Sequence, residues 1–305
     1  MRLDDYDNDI NVGEARGGGG GLGGGGGGGG LLLGLLPMIG SRFGCGGVVV
    51  VLILLAVFGG LGNLGGMLGG GTGGSSVPQV GSPPSRETIQ QVCDASPARR
   101  DTCRAFSNAQ NTWEKIFASE SQSFSPPKLQ FFTGSGESGC GSAMSAMGPF
   151  YCPTDRGIYL DTSFFDELSS KYKAGGDFAQ YYVIAHEFGH HIQNLLGTSS
   201  QVQQAQRRAG EAEGNALSVR LELQADCYAG VWASLNRDRL DPGDVEEGMR
   251  AAQAIGDDTL QRQAQGRVVP DSFTHGTSAQ RQEWLRKGME SNGNPAACDT
   301  FSGQI

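Results

Sequence analysis

Ala185-His186-Glu187-Phe188-Gly189-His190-His191 is the stretch on which the reading of this 305-residue chain turns. His186 and His190 are four residues apart, which on a helix sets both imidazoles on one face, one turn apart. Two such nitrogens can hold one tetrahedral zinc ion at about 2.0–2.1 Å. Glu187, beside the first of them, can reach a water in the open coordination position. The spacing predicts zinc ligation by His186 and His190 with Glu187 as general base. Phe178, Tyr182, Ala185, Phe188 and Ile192 recur at steps of three and four residues, so this helix should be buried on most sides. Asp177 reads as its N-cap, with Gln180 as the capping-box partner, and Gly197 as the residue that ends it. Gly189 costs a helix about 1 kcal/mol relative to alanine, and its small size would let another segment come close to the metal.

Two histidines leave zinc short of ligands. The next buried helical pattern, around Leu217, Leu221, Leu223, Tyr228 and Trp232, offers Glu222 as the third. Glu222 has Ser218, Val219, Ala225 and Asp226 as its helical neighbours, mostly short side chains that permit close helix packing. Asp226, one turn further on the same face, can accept the outer N–H of a zinc histidine and set its tautomer. Glu211 and Glu213 are rivals in a polar, exposed setting. His191 is rotated about 100° from His190 and should not share its metal. His275 is the only histidine outside the zinc helix. It could stabilise an oxyanion or be an ordinary loop residue, and Arg281 on the following helix could share that work but is rather expected to pair with a surface carboxylate.

Helices are expected over 86–106, 109–117, 164–172, 200–213 and 241–255, with a final helix capped by Thr277 and Gln280. Residues 129–133, 148–152 and 157–161 read as strands, and 134–145 as a small-residue loop. One of the latter two strands could pair with an extended peptide through its backbone. The expected fold class is α+β, a mainly helical domain over 89–302 with a small sheet.

The N-terminal part differs in composition. Of 51 glycines, 29 precede Ser75. Residues 1–42 open with acidic side chains, run into two polyglycine tracts, and read as disordered. An apolar run at 48–58 lies in a stretch without charge from Phe43 to Ser85. It suggests one membrane span over 43–62, followed by a flexible linker at 63–88. Arginines before the span would put the N-terminus in the cytoplasm and the domain outside, in the periplasm or at the cell surface. Cys45 would lie at the membrane edge. Six further cysteines fit an oxidising compartment. Of 15 possible pairings, short loops favour Cys93–Cys103 and Cys140–Cys152, leaving Cys227 with Cys298. The net charge of −9 argues against a nucleic-acid partner.

His186-Glu187-Phe188-Gly189-His190 followed by Glu222-Leu223-Gln224-Ala225-Asp226 resembles the gluzincin pattern, in which the third ligand begins a Glu-x-x-x-Asp. More closely, the chain resembles the bacterial membrane-bound family described as "putative neutral zinc metallopeptidase". The resemblance rests also on Gly148-Pro149-Phe150-Tyr151-Cys152-Pro153, on Gln193-Asn194-Leu195-Leu196-Gly197 and on Pro270-Asp271-Ser272-Phe273-Thr274-His275-Gly276. It implies zinc, a zincin-like fold, a membrane anchor, and a peptidase site acting on a peptide or protein. A different class remains in view: a tethered binding or chaperone-like protein whose zinc is closed off by a fourth protein ligand, Cys227 or His275.

Overall fold

The computed structural model describes residues 1–15, 86–303 and 305. Its first element is a strand, β1 (Val12–Glu14), in the segment expected to be disordered. The helix expected over 86–106 is two helices, α1 (Arg86–Cys93) and α2 (Pro97–Ser119). The break lies in the local chemistry: the Ser96 side chain accepts from the Arg99 N–H and Pro97 takes the first turn, a strong helix start. Strand β2 (Lys128–Phe131) follows, then β3 (Ser135–Ser138) and β4 (Gly141–Met144), an antiparallel hairpin where a loop was expected. Next come β5 (Phe150–Cys152), β6 (Gly157–Leu160) and the short helix α3 (Ser163–Ser170).

The zinc-motif helix is α4 (Asp177–Leu195). Gly176, not Asp177, is its N-cap, at a φ of 138° that favours glycine. Asp177 sits in the first turn, where its carboxylate accepts from the Phe178 N–H, so the expected capping box with Gln180 does not form. Gly197, at φ 79°, turns the chain into α5 (Thr198–Gln206). The long helix α6 (Glu211–Leu235) carries Glu222. Helices α7 (Asp244–Ala254), α8 (Asp257–Gln265) and α9 (Ser278–Glu290) complete the set, the last started by the Thr277–Gln280 capping box. The result is α+β: nine helices among the described residues and a small mixed sheet.

That sheet has the order β1-β2-β6-β5. Strands β1, β2 and β6 are parallel, and β5 runs antiparallel on β6 as an outer strand. Helix α4 is buried along nearly its whole length and packs against α2, α6 and α7. Three disulfides tie the domain: Cys93–Cys103 joins α1 to α2, Cys140–Cys152 joins the hairpin to β5, and Cys227–Cys298 joins α6 to the C-terminal segment.

Two expectations about the N-terminal part need correction. Within 1–42, the first fifteen residues are built into the domain. Ile10 and Val12 are buried, and Val12 pairs in register with Leu129. Several of the acidic side chains that suggested a solvated head are docked: Glu14 on Arg99 and Asp5 on Arg104 of α2, and Asp4 on Arg239. The single-pass localisation is overturned as well. Among the described residues no helix is long and apolar enough to cross a membrane. Residues 1–15 share a sheet with β2 and β6, so they cannot lie across a membrane from the domain that contains those strands. The proposed span at 43–62, its Cys45 edge and the linker residues 63–85 lie outside the described residues.

Candidate active site

Helix α4 sets the His186 and His190 rings 4.8 Å apart, edge to face. Helix α6 brings Glu222 across to them. Its Oε2 lies 3.1 Å from His186 Nε2 and its Oε1 lies 3.5 Å from His190 Nε2. In a tetrahedron with bonds of about 2.0–2.1 Å, neighbouring ligand atoms stand about 3.3 Å apart. The observed spacings lie close to that edge, and one donor atom from each of His186, His190 and Glu222 lies within 4.8 Å of the others, so the three could close on one zinc ion. Glycine makes the approach possible: a Cβ on Gly189 would meet the Cα and carbonyl oxygen of Ala225, both at 3.0 Å.

Each imidazole is oriented from behind. His186 Nδ1 lies 2.8 Å from Asp226 Oδ1. An ionised carboxylate can only accept, so Nδ1 carries a proton, which leaves Nε2, facing Glu222, as the nitrogen that could ligate a metal. Asp226 is itself fully enclosed, accepting from the Tyr182 hydroxyl at 2.6 Å and from Arg281 Nε and Nη2 at 2.8 and 2.9 Å. Burial opposes its charge, but the Arg281 guanidinium and the His186 imidazole together hold the carboxyl at about 2. Arg281 thus pairs with a buried aspartate and not the surface carboxylate expected of it. His190 Nδ1 lies 2.9 Å from Gln193 Oε1, and Gln193 is fixed by donating to the Leu221 carbonyl at 2.6 Å.

In the metal-free chain these charges lean on one another. Burial would lower the His190 imidazole, yet the Glu222 carboxylate raises it to about 9. Burial likewise opposes ionisation of Glu222, but His190 and His275 keep it well below the usual carboxylate range. The pocket therefore attracts positive charge, and a divalent cation can take the place of those protons. Burial pushes the Glu187 carboxyl upward, with only partial relief from His190 and His186. That moves it toward the range useful for a base at neutral pH.

His275 stands at the rim, outside the three-residue cluster, and its side chain is partly exposed. Asp257 holds it: one carboxylate oxygen accepts from the backbone N–H groups of Thr274, His275 and Gly276, and the other lies 3.2 Å from His275 Nδ1. Cys227 is in a disulfide and cannot act as a ligand. Glu211 and Glu213 are exposed on the first turn of α6, away from the imidazoles. His191 turns away from the cluster. Its Nε2 lies 2.7 Å from the Ser125 carbonyl oxygen and its Nδ1 lies 3.0 Å from the Tyr151 hydroxyl. Sequence reasoning passed over Gln193, Asp257, Tyr182 and Tyr151. Gln193 alone left a signal, standing three residues after His190 on the same helix.

The sequence model of the family described as "Putative neutral zinc metallopeptidase" matches residues 1–301. The chain is 52% identical over 210 residues to "Uncharacterized protein YpfJ" of Escherichia coli K12, covering 68% of this chain and 73% of that one. It is 43% identical over 214 residues to "Uncharacterized protein Rv2575" of Mycobacterium tuberculosis H37Rv, covering 66% of this chain and 70% of the relative. No solved structure matches it.

Proposed function

The chain belongs to the "putative neutral zinc metallopeptidase" family, and from that premise we propose that it is a zinc-dependent endopeptidase of the gluzincin type, acting on peptide or protein substrates. His186, His190 and Glu222 hold the ion, and the carrying observation is their spacing, 3.1 and 3.5 Å between donor atoms. Zinc bound there would lower the pKa of a bound water to about 7 and polarise the scissile carbonyl. A Glu187 carboxylate oxygen takes the proton of the attacking water and returns it to the leaving amine. His275, oriented by Asp257, donates to the oxygen that gains charge as the carbonyl becomes tetrahedral. Strand β5 supplies the backbone against which an extended substrate pairs. Of the two strands considered, β6 is flanked by β2 and β5, whereas β5 is the outer one.

The reading of zinc as a closed structural element requires a fourth protein ligand. Neither suspect serves: Cys227 is disulfide-bonded, and His275 lies outside the ligand cluster. Three protein ligands with one open position is the catalytic pattern.

The test compares wild type with Glu187→Gln. Both should carry one zinc per chain by atomic absorption. Only the wild type should cleave denatured casein, and a chelator should abolish that cleavage. Equal cleavage by the two proteins would remove Glu187 from the chemistry.

A further inference from the structure

His191 is fully buried, titratable, adjacent to a zinc-binding residue, and unused by the chemistry above. Its bonds say what it does. The Ser125 carbonyl can only accept, so Nε2 must carry the ring proton. Nδ1 of the neutral ring then accepts, and the Tyr151 hydroxyl is its donor at 3.0 Å. The same hydroxyl accepts from Asn194 Nδ2 at 2.8 Å. The bonds run in one direction, from Asn194 to Tyr151 to His191 to the loop before β2.

Two of these side chains belong to the zinc helix, and Tyr151 is the middle residue of the outer strand β5. Alternation in a strand sends neighbours to opposite faces. Phe150 stacks on Tyr159 at 5.1 Å, and Cys152 is buried with Phe132, Ala143 and Tyr159. Only Tyr151 of the three strand residues turns to α4. We propose that Tyr151, His191 and Asn194 form a strut that sets the height of the substrate-pairing strand above the zinc helix. They are positioning residues for substrate, not groups that touch the reacting atoms. The inference rests on β5 being the strand that receives the peptide.

The geometry explains why the strut needs these residue types. Strand β5 has three residues and one strand neighbour, so its ladder to β6 is short. An outer strand that must accept a peptide cannot be covered on its open edge. It has to be held from its face, and a tyrosine reaching a histidine on a rigid helix does that with directional bonds. A purely apolar contact would leave the strand freer to shift along the helix.

The experiment uses the full chain and two substitutions. Tyr151→Phe deletes the shared hydroxyl and both bonds. Asn194→Ala removes one of them and guards against a folding failure in the first. Amide hydrogen exchange over residues 150–152 reads the strut directly. Steady-state cleavage of an octapeptide spanning a casein site cut by the wild type reads its use. For Tyr151→Phe we expect faster exchange in β5, unchanged zinc content, and KM raised roughly five- to tenfold with kcat changed less than twofold. Asn194→Ala should shift both readouts the same way by less. Unchanged exchange in β5 overturns the strut. Faster exchange with an unchanged KM overturns its role in substrate placement, and so does an equal fall in kcat and kcat/KM. If the wild type cleaves nothing while zinc is bound, the peptidase reading fails instead, and the exchange result still decides whether the strut exists.

Discussion

Asp226 would serve the proposed metal site without touching the ion. It takes a donor from each of three partners, His186, Tyr182 and Arg281, with no exposure to water. The ion pair with Arg281 is fully desolvated, and such pairs matter less for their net attraction than for what remains when one partner is removed. Asp226→Asn would leave the guanidinium charged, buried and uncompensated. We expect a loss of roughly 3–5 kcal/mol in urea unfolding. Zinc affinity should fall about 10- to 100-fold, because His186 loses the acceptor that fixes its tautomer. Competition with a chromophoric chelator measures the second quantity, and an unaltered zinc affinity would show that Asp226 does not orient His186. The legibility of this site follows from helical arithmetic. His186, Glu187 and His190 are read from a four-residue step, and Asp226 from the same step after Glu222. Arg281 and Asp257 left no such trace. They are 55 and 18 residues from their partners Asp226 and His275, and no periodicity links separate elements.

At the scale of elements, the site depends on how closely α6 lies against its neighbours. Gly230 of α6 and Gly288 of α9 meet backbone to backbone. A Cβ on Gly288 would fall 2.0 Å from the Cys227 carbonyl oxygen and 2.9 Å from Gly230 Cα. Neither obstacle is a flexible side chain, so the helices themselves must move apart. Gly288→Ala should therefore cost about 1–3 kcal/mol by overpacking, despite alanine's better helix propensity. Because Arg281 rides on α9 and Asp226 on α6, the same displacement should weaken zinc binding at a distance from the metal. Urea unfolding and the chelator titration, run on one preparation, test both parts. A more stable variant with normal zinc affinity would mean that the two helices can part without cost. The elements themselves were unevenly legible. Long apolar periodicity predicts α4 and the Glu222 helix. The hairpin at residues 135–144 is built of small residues with little hydrophobic alternation, so it reads as a loop. The split between α1 and α2 lay in plain sight as Ser96-Pro97, overridden by the helical pattern on either side.

Among the described residues, 1–15 and 86–301 form one folded unit, and the first fifteen were the hardest to read. Their sequence is acidic and precedes polyglycine, which on composition alone means a chain with too little apolar surface to order. Composition could not see complementarity: Glu14 and Asp5 face arginines on α2, and the sparse apolar residues Met1, Ile10 and Val12 all find the core. Burying such a side chain contributes roughly 1.5–3 kcal/mol, an upper estimate because unfolded chains already hide some surface. Three of them weigh heavily against a typical domain stability of about 5–15 kcal/mol. Removing residues 1–15 would also strip β1 from β2 and open a parallel edge carrying Leu129 and Phe131, both buried in the intact sheet. We expect the truncated chain to have a markedly lower urea midpoint and to aggregate at concentrations where the full chain stays monodisperse. Light scattering and urea titration of the two proteins settle it. A truncated chain with the full-length midpoint would mean that the N-terminal strand is an ornament of the sheet. The outcome bears on topology too, because a first strand required for folding keeps the N-terminus on the same side of any membrane as His186, His190 and Glu222.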